Sequence, residues 1–287
     1  METIKEEKFE KERSLYGASD KLILSCNFGG PLDGESPLKE CKNIEVKECV
    51  FDLRYPLWHN TGLKIINSSF SSLSRAPLWY SKNISINNTT VDGIKFLREC
   101  SDVYIKNSTF NSPEFSWKVD NIKIENSSVK SEYPFLMCNN LDIKNLKLEG
   151  KYSFQYVNKA KIVNSFFDTK DAFWHDNDIV IENSIIKGEY LAWYAKNLTF
   201  KNCKIIGTQP FCYSENIKLI NCTMEGCDFA FEYTSVDADI HSKILSIKNP
   251  LSGKIVADEI GEIIFDEHRR DKNSVEIIDK SKITANK

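Results

Sequence analysis

Apolar and polar positions alternate along this chain in short bursts that recur at a fixed interval. The phrase small polar, apolar, x, apolar, x, Asn, Ser/Thr/Cys appears as GLKIINS, NISINNT, DVYIKNS, NIKIENS, NLDIKNL, KAKIVNS, DIVIENS, NLTFKNC and NIKLINC. Its Asn falls at Asn67, Asn88, Asn107, Asn126, Asn145, Asn164, Asn183, Asn202 and Asn221, spaced by 21 residues once and then by 19 seven times. NIEVKEC fits the same frame one period earlier, with Glu48 in the Asn place. Self-similarity at a fixed period of this length marks a solenoid.

Four and two residues before each Asn stand apolar pairs such as Leu63 and Ile65, Ile84 and Ile86, or Ile122 and Ile124. Polar residues separate them, which is the pattern of a half-buried strand. A third apolar column lies three residues after the Asn (Phe70, Val91, Phe110, Val129), and a fourth lies ten before it (Leu57, Leu78, Leu97, Phe135, Phe154). Each period therefore predicts three short strands divided by polar turns. Such a coil closes only if successive coils stack as parallel strands about 4.8 Å apart. The predicted fold is all-β: a parallel β-helix of 11–13 coils with an Asn ladder at one turn. Asn suits that turn because it tolerates the left-handed conformation of a tight bend, and stacked amides can bond coil to coil for roughly 1 kcal/mol each. A leucine-rich repeat is excluded, because the Asn follows the apolar pair too closely and 19 residues with three apolar columns leave no room for a helix.

No linker rich in Pro, Gly or Ser breaks the frame, so a single domain over 1–287 is expected. Residues 1–20 read as an N-terminal cap, 21–235 as regular coils, 236–270 as irregular final coils with a C-terminal cap, and 271–287 as a frayed tail.

Composition narrows the function classes. The 287 residues carry 38 basic and 41 acidic side chains, a net charge of −3, which argues against a nucleic-acid partner. METIKEEKFEKERSLYG holds no apolar run, and no later segment is long and uncharged enough to span a bilayer, so a cytoplasmic protein with no membrane partner is expected. The nine cysteines show no CxxC pair and read as small buried hydrophobes in a reducing compartment. Cys203 and Cys222 fall on adjacent rungs, where spacing would permit a vertical disulfide. Triplets such as Asn67-Ser-Ser and Asn126-Ser-Ser would accept glycans only in a secreted protein.

The column nine residues before the Asn reads Trp58, Trp79, Arg98, Trp117, Leu136, Gln155, Trp174, Trp193 and Cys212, and holds all 5 tryptophans. If its neighbour ten before the Asn faces inward, this column faces out. From Trp58 to Trp193 is seven coils, about 34 Å. Beside it stand His59, Tyr80, Glu99, Lys118, Met137, Tyr156, His175, Tyr194 and Tyr213. An aromatic stripe of that length exceeds what a monomer usually exposes. Trp58, Trp79, Trp117, Trp174, Trp193, Tyr80, Tyr194 and Tyr213 are thus candidate ligand-binding residues, a stacking platform for an extended ligand. A sugar chain is the natural candidate. The same stripe would serve equally as a homo-oligomer interface, as would the open coil ends. Inverted phase, with the tryptophans inside, is the remaining alternative.

For catalysis the compact charged set is Arg98, Glu99 and Lys118 on adjacent coils, with Glu99 as a candidate general base and the cations as anion stabilisers. A structural ion pair is the competing reading. His175 beside Asp176 is a second acid/base candidate. His59 and His175 lie six coils, about 29 Å, apart and cannot share a site. His241, His268, Asp237 and Asp239 do not complete a metal site, and no phosphate loop, nucleophile elbow or dinucleotide fingerprint occurs, so no metal or cofactor is expected.

SPLKECKNIEV, YPLWHN, APLWYSKNISI, DAFWHDNDIVI, GEYLAWYAKNLTF and the tail from AFEYTSVDADI to IIFDE resemble a bacterial family of unknown function within the pectin-lyase-like superfamily, over roughly residues 10–267. The resemblance implies a right-handed parallel β-helix and a cytoplasmic location, and brings no activity with it. The superfamily's hydrolases carry paired Asp residues and Gly-His-Gly, its lyases Asp clusters with a basic proton acceptor; neither an Asp-Asp pair nor Gly-His-Gly occurs here. The expected function is therefore binding of an extended ligand, a carbohydrate first, along the Trp/Tyr column. The alternatives are a polysaccharide lyase or hydrolase with a site near Arg98, Glu99 and Lys118, and an assembly scaffold.

Overall fold

The computed structural model describes residues 1–30, 35–270 and 275–284. The chain is a parallel β-solenoid of about 14 turns, about 19 residues per turn, with almost no helix. It packs as two compact units, Met1–Leu148 and Glu149–Lys287.

In the first unit the strands Lys42–Lys47, Thr61–Ile66, Lys82–Asn87, Ser101–Lys106 and Asp120–Ser131 stack in parallel. Their register aligns Ile44, Leu63, Ile84, Val103 and Ile122 in one buried row. Beside it the rings of Phe28, Phe51 and Phe70 stack at 4.8 and 4.7 Å. In the second unit Asn158–Val163, Asn177–Glu182 and Lys196–Lys201 repeat the arrangement, aligning Ala160, Ile179 and Leu198. Burying one such side chain contributes about 1.5–3 kcal/mol, and the row repeats that gain on every coil.

The regular coils hold two strands, merged into one on coils such as Asp120–Ser131 and Asn139–Gly150, rather than the three expected. The segment eight to thirteen residues before the Asn is a run of turns, with isolated bridges such as Trp79 to Arg98 and Arg98 to Trp117 in place of a strand. Its inward column takes the left-handed conformation: Leu57, Leu78, Leu97, Phe135, Phe154, Phe173 and Phe211 lie at φ between +57° and +63°. Bulky residues pay about 1–2 kcal/mol each there. The reversal turns successive N–H groups toward opposite coils, so Leu78 N–H reaches Pro56 O at 3.1 Å and Tyr80 N–H reaches Arg98 O at 3.0 Å. Burial of the same side chains, all at 0% exposure, holds them in place.

The nine ladder asparagines also sit at positive φ, +49° to +54°. Asn88 Nδ2 donates to Asn67 Oδ1 at 2.8 Å and Asn145 Nδ2 to Asn126 Oδ1 at 2.7 Å in the first unit. Asn202 donates to Asn183 at 3.0 Å and Asn221 to Asn202 at 2.8 Å in the second. Asn107 turns aside to Asn87 Oδ1 at 3.4 Å. All nine are solvent-exposed, so the ladder runs along the outside of the bend.

Both ends are more regular than their sequence suggests. Glu2–Lys5 pairs with Ser19–Leu24, so residues 1–20 form a coil where only a cap was expected. Ser235–Lys248 and Ser252–Ile264 are long parallel strands; their pairing, Ser235 with Ser252 and Ile244 with Ile260, is shorter than the 19-residue frame, which is why the periodicity fades. Within the expected frayed tail, Val275–Asp279 pairs with Gly253–Ala257 and Lys280–Thr284 is a short helix. Residues 271–274 and 285–287 of that tail lie outside the described residues.

Candidate functional site

The tryptophan column alternates with a fully buried one. Leu57, Leu78, Ser116, Phe173 and Ala192 are fully buried, and Trp58, Trp79, Trp117, Trp174 and Trp193 next to them are half-buried on the outer side of the turn segment. What those indoles do there was not legible. Each N–H is already used: Trp58 donates to Ala76 O at 2.6 Å, Trp79 to Lys95 O at 2.8 Å and Trp117 to Tyr133 O at 2.7 Å. Trp174 donates likewise to Tyr190 O at 2.6 Å and Trp193 to Gln209 O at 2.8 Å. Gln155, which replaces a tryptophan in the column, makes the same bond to Asp171 O at 3.1 Å. The ring faces are used as well. Trp58 lies parallel to Trp79 at 5.1 Å and Trp174 to Trp193 at 5.4 Å. The column clamps successive coils together and turns only its outer edges to solvent.

Arg98 continues this stack where the sequence lacks an indole. Its guanidinium lies 4.9 Å from the ring of Trp79 and 5.6 Å from that of Trp117. Its Nε stands 3.6 Å from Glu99 Oε1, an ion pair too long for a hydrogen bond. Glu99 and Lys118 are exposed on the two coils. Of the charged set expected from sequence, Arg98 is thus committed to cation–π packing between two indoles.

The more exposed row lies one residue further along. In the second unit Tyr156, His175, Tyr194 and Tyr213 form a continuous ladder with centroid separations of 4.8, 5.0 and 5.1 Å and planes within 15° of parallel. Tyr233 extends it at 5.6 Å, tilted by 44°. In the first unit the row is a single pair, His59 and Tyr80 at 4.9 Å, and Trp58 and Trp79 meet Tyr80 edge-on at 5.9 and 6.0 Å. Tyr156 and Tyr194 are 49% and 43% exposed. Tyr233 escaped sequence reasoning because it follows Tyr213 by 20 residues where the period has begun to drift. Its far side is closed by Arg270, 4.1 Å from the ring, and its hydroxyl donates to His268 O at 2.9 Å.

The ladder rings are stacked on one another, so they meet solvent with their rims. A ligand lying along this row would find phenol hydroxyls and an imidazole edge at regular steps, backed by the T-shaped indoles of Trp174 and Trp193 6.5 and 6.3 Å from Tyr194. An open groove of about 450 Å³ elsewhere in the first unit runs past Met1, Asp20, Asn43, Gly62 and Asn83 and includes none of the expected site residues.

The nine cysteines are all buried free thiols, Cys203 and Cys222 included. Those two donate to Ile181 O and Phe200 O, each at 3.4 Å, filling the slot that Ser68, Ser108 and Ser184 fill on other coils with bonds of 2.8–2.9 Å to Ile66 O, Lys106 O and Glu182 O. Asp239 Oδ2 meets His241 Nε2 at 3.0 Å, and Lys280 joins Asp258 at 3.0 Å. Among the described residues no cluster of three or more His, Cys, Asp or Glu could hold a metal, and no helix is long and apolar enough to cross a membrane.

Coils, clamps and rims together define a parallel β-solenoid with an aromatic column in each of its two units. The sequence matches the family described as "Protein of unknown function (DUF3737)" over residues 2–278, and the chain belongs to that family. Among solved structures, the surface adhesin PfbA of Streptococcus pneumoniae is similar at 10% identity and a TM-score of 0.48, over 93% of this chain and 84% of that one. The catalytic domain of a GH87 alpha-1,3-glucanase in complex with nigerose is similar at 10% identity and a TM-score of 0.37, over 96% of this chain and 63% of that one. For a tailspike protein of E. coli bacteriophage HK620 in complex with pentasaccharide the values are 10% and 0.32, over 99% and 71%. Comparison with curated proteins found no match.

Proposed function

We propose that the protein binds an extended, polyhydroxylated chain, a carbohydrate, along its aromatic face, and that the row Tyr156, His175, Tyr194 and Tyr213 is the core of that surface. The observation that carries the reading is the even spacing of those rims, 4.8–5.1 Å, on the scale of one sugar residue in an extended chain. Phenol and imidazole edges both donate and accept hydrogen bonds, which suits ligand hydroxyls. Buried ring faces make this edge-on recognition, with Trp174 and Trp193 as the apolar floor, in place of the face-on platform expected from the tryptophans. Commitment of Arg98 between two indoles favours binding over catalysis at the Arg98, Glu99 and Lys118 cluster. The free thiols support a reducing compartment as its place of work.

Titration of the intrinsic tryptophan fluorescence with a panel of oligosaccharides tests the reading. A saturable change lost in Tyr194→Ala supports it. A flat response together with concentration-dependent growth in hydrodynamic size would assign the face to self-association instead.

A further inference from the structure

One column of the solenoid, seven residues before Glu48 and before each ladder Asn, is chemically mixed: Cys41, Asn60, Ser81, Cys100, Val119, Cys138, Val157, Asp176, Ala195 and Ser214, with Thr234 continuing it. Its members are buried at the bend next to the aromatic face. Two hydrogen bonds unify its polar members. Each side chain accepts the backbone N–H of its counterpart one coil earlier: Cys41 N–H to Asn60 Oδ1 at 2.7 Å, Asn60 N–H to Ser81 Oγ at 3.0 Å, Ala195 N–H to Ser214 Oγ at 3.1 Å. Each also donates to the carbonyl of the inward residue of the turn segment on that earlier coil. Asn60 Nδ2 donates to Leu38 O at 2.9 Å, Ser81 Oγ to Leu57 O at 2.9 Å, Cys138 Sγ to Ser116 O at 3.0 Å and Ser214 Oγ to Ala192 O at 2.6 Å. Where the slot holds a polar side chain, that one side chain both accepts and donates; Val119, Val157 and Ala195 fill it with buried apolar groups.

Asp176 occupies it at 1% exposure. Its Oδ1 accepts the Val157 N–H at 2.7 Å, as Asn60 Oδ1 accepts Cys41 N–H. Its Oδ2, in the place of the Asn60 amide nitrogen, has no hydrogen-bond donor. The carbonyl that the column rule assigns to it is that of Phe154, 22 residues earlier, the same offset as from Asn60 to Leu38. A carboxylate can only accept; a carboxylic acid can do both.

We infer that Asp176 is a neutral carboxylic acid in the folded protein, its Oδ2 proton donated to the Phe154 carbonyl, and that this proton latches the bend carrying Trp174 and His175. Desolvation pushes its pKa well above the ordinary 3.8, with the Val157 N–H acting the other way. The titratable side chains around the bend, His175 and Asp178 on its own coil, Tyr156 and Lys159 on the coil before and Tyr194 and Lys196 on the coil after, are all exposed, and Asp171 is buried on the same coil. None is bonded to the Asp176 carboxyl. The folded state therefore holds one more proton than the unfolded chain above the ordinary Asp pKa, and stability falls as pH rises until the folded pKa is passed. Beyond it the bend contains a buried, unpaired charge, a state that favours opening. The inference stands whether or not the aromatic row binds a sugar.

The direct test is infrared difference spectroscopy of wild type against Asp176→Asn at neutral pH. The expected result is a carbonyl stretch of a neutral carboxylic acid in the wild type that Asp176→Asn lacks; its absence from the wild type overturns the inference. Melting temperatures from about pH 5 to about pH 8 supply the second readout. Asp176→Asn, which restores the Asn60 arrangement, should match or exceed the wild type at the upper end and lose the downward trend. If the amide variant melts below the wild type throughout, the proton is not there. Should Asp176→Asn not fold, Asp176→Ser, the residue of the Ser81 and Ser214 coils, takes its place in both measurements.

Discussion

Trp174 and Trp193 lie with their indoles 5.4 Å apart and 4° from parallel, and each sends its N–H to a backbone oxygen 16 residues further on. A side chain that looked made for a ligand is thereby tied to the scaffold through both its face and its polar handle. The exposed rims of Tyr156, His175, Tyr194 and Tyr213 are then what the face has left to offer.

Trp193→Phe keeps an aromatic face against Trp174 and removes the bond to Gln209 O. A loss of about 1 kcal/mol is expected from the hydrogen bond, with Trp193→Ala costing more through lost stacking and area. Chemical denaturation of the two variants checks the order; equal stability of Trp193→Phe and wild type would show the clamp to be idle.

Asn145 is exposed, at φ +54°, and bonded to Asn126. Asn145→Leu is expected to cost on the order of 1–2 kcal/mol, chiefly from the left-handed backbone, while Asn145→Gly should be within about 0.5 kcal/mol of wild type because glycine suits that conformation. If glycine costs as much as leucine in a thermal melt, the amide bonds rather than the bend matter most.

Gly188 adopts φ +153°, and a Cβ there would stand 1.5 Å from Thr169 O. Gly188→Ala must move backbone, so a loss on the order of 3 kcal/mol or more is expected. Gly17, at φ +69° with nothing within 4 Å of its Cβ direction, should lose only about 1 kcal/mol on the same change. The ratio of the two melting-point shifts is the measurement.

Burial pushes the thiols of Cys100 and Cys138 up to about 12. Only the thiolate alkylates readily, so neither should react with iodoacetamide at mildly alkaline pH in the native protein, and both should react after denaturation. Peptide mapping by mass spectrometry reads this; prompt native labelling of either would mean that the coil opens there.

Much of the fold was legible because every coil repeats one frame: Ile84 and Val103 had to share a row once Asn88 and Asn107 did. The inward Leu78 and outward Trp79 followed from parity. Left-handed Leu78 and Phe173 did not, because nothing in a leucine or phenylalanine announces positive φ; only the inter-coil bonds of Leu78 and Tyr80 explain it. The shared role of Cys100, Ser81, Asn60 and Asp176 was hidden for a related reason. Their side chains differ in polarity and size, and what they have in common is a pair of hydrogen-bond partners supplied by the coil before. Tyr233 was lost to a one-residue change in period.

The central functional claim is that a ligand lies along the four rims, one sugar residue to each. Affinity measured by isothermal titration against oligosaccharides of increasing length tests it most directly. Binding should strengthen from one residue to about four, which spans Tyr156 to Tyr213 at the coil spacing, then level off, and Tyr194→Ala should weaken the longest ligand at least tenfold. Equal affinity for a monosaccharide and a tetrasaccharide, or undiminished binding by Tyr194→Ala, would contradict it.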